Sequence, residues 1–201
     1  MNIASRRSGG RLISAAVASE LLFIALGLAV LGLGAEGLHW AIRWTARFSA
    51  FLFLSAFLAS SLHRSLHRGW TIALLRQRRY WGLSFAGSQF IHLILIVLAY
   101  RRAPTTMGSI DAAFLFGALG YIFTGLMALT SNDEAVRRLG PKDWRVLHST
   151  GMYLLWAIFF GTYILGAGKD RLHLALATAF GLALAFKLAV LARAATGRRE
   201  S

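Results

Sequence analysis

Residues 82–100 read GLSFAGSQFIHLILIVLAY. No Asp, Glu, Lys or Arg interrupts them, and a run of roughly 20 such residues is what a helix needs to cross about 30 Å of hydrocarbon. Five further stretches of similar length and character flank this one: Leu12–Gly34, Trp44–Leu62, Ile110–Thr130, Val146–Leu165 and Leu172–Leu191. Backbone groups placed in lipid must be satisfied within their own segment, which runs of this length achieve as helices. No connection between the stretches is long enough to form a domain. The expectation is an all-α integral membrane bundle of six transmembrane helices, a single domain over residues 1–201.

Composition points the same way. The chain has 201 residues, of which 57% are hydrophobic and only 15% charged. Soluble domains of this length carry about 25% charged residues. Cysteine is absent, which excludes disulfides, thiolate metal sites and iron–sulfur clusters. A net charge of +14 would point to nucleic acid in a soluble protein. Here the cations sit in short clusters between apolar runs, so they read as topology, with the lipid bilayer as partner and no nucleic acid.

Lys and Arg concentrate on the cytoplasmic side of bacterial membrane proteins. One side of this chain carries Arg6, Arg7, Arg11, Arg64, Arg68, Arg76, Arg78, Arg79, Arg137, Arg138, Lys142, Arg145, Arg193, Arg198 and Arg199. The other carries Arg43, Arg47, Arg101, Arg102, Lys169 and Arg171. The larger set places the N and C termini in the cytoplasm, and the protein in the cell inner (plasma) membrane as a multi-pass chain. Arg6 and Arg7 before an apolar run imitate a signal peptide, yet the run exceeds a typical h-region and no small-x-small cleavage site follows. It reads as a retained first span. Gly32–Gly37 matches GxGxxG, but with no strand before it and no βαβ unit after it the motif has lost its context. No flavin or nicotinamide site is expected in this chain.

Ionisable groups inside a span are costly and default to functional candidates. His39 and His173 fall near the outer ends of their stretches, and His63 and His67 share a helix face at an inner end. These four read as interfacial polar residues. His92 lies midway through the third stretch. It fits either a hydrogen bond to a neighbouring helix or a metal or heme ligand, since imidazole is the commonest such ligand and bundle interiors hold cofactors. His148 opens the fifth stretch. Glu20 and Lys187 lie at similar depth and suit an ion pair or a proton relay. Arg43 and Arg47, four apart, suit lipid headgroups or carboxylates such as heme propionates. Recurring glycines, among them Gly27, Gly120, Gly125, Gly151 and Gly161, suit close helix packing.

From the second stretch to the fifth, the chain resembles the ferric reductase-like transmembrane domain family. It looks closest to the small bacterial branch of heme-binding membrane subunits found in periplasmic methionine sulfoxide reductase systems. Thr45-Ala46-Arg47-Phe48-Ser49-Ala50 resembles the family's Thr-Gly-Arg segment. Arg78-Arg79-Tyr80-Trp81-Gly82-Leu83 followed by Phe90-Ile91-His92 resembles its entry to the third helix. Thr130-Ser131-Asn132-Asp133 with Arg137-Arg138-Leu139-Gly140, and Trp144-Arg145-Val146-Leu147-His148 with Tyr153, resemble the loop and helix start that follow. The resemblance covers about residues 44–165. It implies a b-type heme held by histidines, with His92 and His148 as the matching positions, and electron transport across the membrane. The chain ends a few residues after its last stretch, so the expected donor is a separate cytoplasmic flavin reductase or a quinol, and the acceptor is periplasmic.

One departure matters. The family places a second histidine 13 residues after the position of His148, and Gly161 stands there. At ~1.5 Å per residue, His92 is about 13 Å and His148 about 30 Å from the outer end. Metal–imidazole bonds are about 2 Å long, so these two are not expected to share one iron. His92 would then act alone or with Tyr163, and His148 with His63 or His67. The competing readings are a heme-less membrane anchor or assembly subunit of the same fold, and a small proton-coupled transporter using Glu20 and Lys187.

Overall fold

The computed structural model describes residues 3–102 and 112–196. Ile110 at the start of the fourth stretch, Arg198, Arg199 and the side chains of Arg6 and Arg7 lie outside the described residues. Among those described there are helices and no strand: α1 Ile3–Leu31, α2 Ala35–Leu66, α3 Gly69–Arg102, α4 Ala112–Leu129, α5 Asp133–Leu139, α6 Pro141–Leu165 and α7 Arg171–Thr196. The chain is all-α. By length and composition α1, α2, α3 and α7 can each cross a membrane, and α4 with α5 forms one further candidate, broken by a 103° bend. The helix α6 is long enough, at 25 residues, but Lys142, Asp143, Arg145, His148, Ser149 and Thr150 make its first half polar.

Local chemistry explains the breaks. Between α1 and α2 the chain reverses at Gly32, whose φ of 76° lies in the region that glycine tolerates best. The helix α2 stops at His67, which is itself left-handed at φ 48° and returns its N–H to the His63 carbonyl. Asn132 caps α5 by accepting the Ala135 N–H at 2.7 Å, as short polar side chains do at helix starts. Gly140 and Pro141 then open α6, with proline in the first turn where its missing N–H costs nothing.

The packing turns the usual soluble pattern inside out. Val30, Leu129 and Leu165 are 84%, 76% and 87% exposed, while Thr45, Ser49, Thr71, Ser84, Ser88 and Thr124 are buried. An apolar outer surface of this extent is what a lipid environment requires. At the centre is α2, which packs on α1, α3 and α7. Phe53 on α2 stacks on Phe159 of α6 at 5.6 Å and on Phe180 of α7 at 5.9 Å, and takes Phe85 of α3 edge-on at 5.4 Å. Two side-chain-to-backbone bonds lock this cluster. Trp156 Nε1–H donates to the Phe180 carbonyl at 2.9 Å, and Tyr163 O–H to the Ala46 carbonyl at 3.1 Å.

Small residues set the closest approaches. A Cβ on Gly27 would lie 2.1 Å from the Trp40 ring, so α1 and α2 touch here only because the side chain is missing. Truncating the aromatic centre should be costly. Phe53→Ala is expected to lose about 3–5 kcal/mol in reversible unfolding from detergent micelles, whereas Phe116→Ala on the outer surface should change the midpoint little.

Candidate functional site

The third helix carries its polar residues one turn apart. Ser84, Ser88 and His92 follow each other at i, i+4 spacing and so share a face. That face meets α1 and α2. Ser88 Oγ–H donates to Glu20 Oε1 at 2.7 Å, and His92 Nδ1 lies 2.7 Å from Thr45 Oγ1. The Thr45 hydroxyl has its own acceptors, the Ala41 and Ile42 carbonyls, both at 3.0 Å. Its single proton goes there, so the imidazole Nδ1–H is the donor to Thr45. The tautomer is thereby assigned from the network, and the lone pair sits on Nε2. Anchoring one ring nitrogen so that the other is free to ligate is the usual arrangement at metal-binding histidines.

His148 is held the other way round. Its Nε2 lies 2.9 Å from Thr130 Oγ1, and that hydroxyl donates to the Leu126 carbonyl at 2.7 Å. Nε2–H is therefore the donor, and the Trp144 ring stacks on the imidazole at 4.1 Å. The outer nitrogen of His148 is committed.

Helix register separates the two histidines. Phe53 meets Phe159, and the Ala46 carbonyl meets Tyr163, so α6 runs antiparallel to α2. Continuing that register puts His148 near the level of Leu62. His92 is level with Thr45, roughly seventeen residues or about 25 Å away along α2. The two imidazoles are therefore far apart along the bundle. Tyr163 is committed to Ala46 and packed on Phe159 and Phe180, so it is not placed as a partner for His92. His63 is close to the level of His148 but turns to Thr71 at 3.4 Å.

Gly161 lies two residues from both Phe159 and Tyr163, which face the aromatic centre. It therefore points about 160° away from that centre, and a Cβ added there meets no atom within 4 Å.

The Glu20–Lys187 pairing does not form. Glu20 is bonded to Ser88, and Lys187 donates to the Phe57 carbonyl at 3.2 Å while lying 3.9 Å over the Phe57 ring. They occupy different helix interfaces, α1 with α3 and α7 with α2. Arg47 also has a partner: its guanidinium meets Asp170 at 3.0 Å and covers Trp44 at 5.0 Å. Arg43 is exposed.

Asp170 caps α7 as well as pairing with Arg47. It accepts the His173 backbone N–H at 2.8 Å, and His173 Nδ1 lies 2.9 Å from the same oxygen. Hydrogen bonding by the His173 side chain, then its backbone, holds the Asp170 carboxyl down to about 2.

Among the described residues no group of three or more His, Asp or Glu side chains is gathered as for a bare metal ion. By the same reasoning the lone pair is on Nε2 in His92 and on Nδ1 in His148. Thr45, Ser88 and Asp170 were not singled out for these roles in the sequence; the i, i+4 repeat of small polar residues in an otherwise apolar helix is the signal that would have marked Ser88 and His92 as one face. No protein-family model, curated protein or solved structure matches the chain.

Two outcomes follow from this geometry. Thr45→Val keeps the shape but leaves His92 Nδ1–H unpaired, and should cost about 1–3 kcal/mol of stability in detergent unfolding. The Asp170 carboxyl is lowered on folding, so its contribution is complete above its unfolded value of about 4 and fades as pH falls through about 2. Wild type should therefore melt above Asp170→Asn near neutral pH, and the two curves should converge in strong acid.

Proposed function

We propose that this chain is the membrane subunit of an electron-transfer system of the ferric reductase-like type, with a b-type heme ligated by His92. The observation that carries this is the 2.7 Å contact between Thr45 Oγ1 and His92 Nδ1, from which the proton is assigned to Nδ1 and the lone pair to Nε2. The resemblance of residues 44–165 to that family, and the apolar exterior, support the same reading. Iron in such a heme takes up and releases one electron at a time, its potential set by the axial ligand and by burial.

The chain's own residues have three tasks in this reading. Thr45 fixes the tautomer and the ring plane of His92. The bundle keeps water from the ligand. Arg43, unlike Arg47, is free to meet a carboxylate at the outer end. Arg47 would do so only by leaving Asp170, and His148 could ligate through its outer nitrogen only by leaving Thr130. The cation distribution supports a six-span topology with cytoplasmic N and C termini in a bacterial inner membrane. A separate flavin reductase or a quinol would supply electrons, and a periplasmic acceptor would take them.

A heme-less membrane anchor of the same fold is the second reading. It is favoured by the phenyl rings that fill the bundle centre and by Gly161 facing away from it. An absorption spectrum of detergent-purified protein, oxidised and then dithionite-reduced, separates the two. On the electron-transfer reading, heme-replete cells would yield protein with a Soret band, and the reduced protein would bind carbon monoxide if His92 were the one side chain holding the heme. His92→Ala should then lose the band, Thr45→Val should weaken heme retention by roughly tenfold or more, and His148→Ala should keep it. A featureless wild-type spectrum would leave the anchor.

A further inference from the structure

A lysine near the end of a membrane helix ordinarily extends its ammonium to the headgroups. Lys187 on α7 turns inward instead. Its Nζ–H donates to the Phe57 carbonyl at 3.2 Å, and the nitrogen lies 3.9 Å over the Phe57 ring and 5.4 Å over that of Tyr153. Phe57 stands nine residues before Leu66, the end of α2, so the ammonium is held about 14 Å along the helix from that end. Arg78 on α3 reaches the same level. Its Nε–H donates to the Ala56 carbonyl at 3.2 Å and its Nη1–H to Ser60 Oγ at 3.1 Å. Arg78 and Arg64 both act electrostatically on Lys187, and Arg78 acts on His148. Basic side chains from α2, α3, α6 and α7 thus converge at one end of the bundle.

Among the described residues no carboxylate pairs with them. Glu20 is bonded to Ser88, Asp133 to Arg79, Glu134 to Arg137 and Arg138, and Asp170 to Arg47. Glu36 opens α2 at its opposite end, and Asp143 is exposed in the first turn of α6. Partly buried cations that repel one another are costly, and inside a membrane bundle basic residues generally face a partner or a substrate path. The chain engages Nε and Nη1 of Arg78 and one hydrogen of Lys187. The Nη2 edge of the guanidinium and two ammonium hydrogens are left for an incoming acceptor. A guanidinium fork beside an ammonium suits a phosphate oxyanion. Tyr153 on α6 and Leu188 on α7 are exposed on the lipid-facing surface, so a phosphate carried on acyl chains has access as well as a free one. We propose that Arg78 and Lys187 together bind a phosphate group, with Arg64 at the rim of the site. The site is independent of any group at His92.

Thermal unfolding of the detergent-purified full chain reads such binding, because a ligand of the folded state raises the midpoint with its occupancy. Phosphatidylglycerol in nonionic micelles is one probe, with diacylglycerol as its phosphate-free control. Inorganic phosphate is the other, with chloride at equal ionic strength as control. A saturable rise with phosphatidylglycerol alone assigns the site to a lipid phosphate, and one with inorganic phosphate to a soluble anion. Lys187→Met removes a charge that no carboxylate offsets, so it should fold, and it should weaken half-saturation by roughly tenfold or more. Arg76→Gln, at an exposed position of the same helix as Arg78, should leave it unchanged. A wild-type midpoint that neither probe raises beyond its control overturns the proposal. So does a half-saturation that Lys187→Met leaves unchanged or that Arg76→Gln weakens equally.

Discussion

Lipid offers no hydrogen bonds, so a polar side chain inside this bundle is stabilised by a partner on a helix, its own or a neighbour. The second helix supplies much of that need. Its Thr45 takes His92, its Ala46 carbonyl takes Tyr163, its Ala56 carbonyl takes Arg78 Nε–H at 3.2 Å, and its Phe57 carbonyl takes Lys187. Three neighbouring helices are thereby tied to one, at levels spaced along its length. Carbonyls already engaged in the helix retain a second lone pair, which is what allows them to accept these extra donors.

This arrangement sets the limits on chemistry in the bundle. A side chain held by α2 is held at one level, and the levels of His92 and His148 differ by most of a membrane's thickness. Their tautomers differ as well, because each threonine spends its proton on its own helix and takes the imidazole N–H in return. One histidine keeps its outer nitrogen free and the other does not. The two histidines thus have different chemical capacities. The aromatic cluster of Phe53, Phe85, Phe159 and Phe180 enforces the separation by occupying the space between them.

Much of the fold was legible in the chain. The apolar runs and the polar breaks between them locate α1, α2, α3 and α7, but α1 and α2 begin nine residues and α3 thirteen residues before the runs do, because the helices continue past the part that hydrocarbon thickness constrains. The fifth helix was harder. Residues 133–139 form a separate capped helix, because Asn132 and Gly140 stop the chain at either end, whereas hydropathy alone registers only a loop. The candidate site was legible in part. His92 stood out because a lone imidazole in an apolar helix is costly, and the same reasoning found Glu20.

Partnership was not legible. Similar depth suggested Glu20 with Lys187, but depth says nothing about which helices are neighbours, and Glu20 meets Ser88 instead. Arg47 has Asp170 for a carboxylate, a residue 123 positions away. Composition and the spacing of apolar runs determined that this is a multi-helix membrane protein with an ionisable pair of residues, Glu20 and His92, in its interior, because burial in lipid is a property of each segment by itself. Only the tertiary structure decided which nitrogen of His92 is free, that His148 lies about 25 Å away, and that Gly161 faces outward. Those depend on rotation and register between helices, which no single segment encodes.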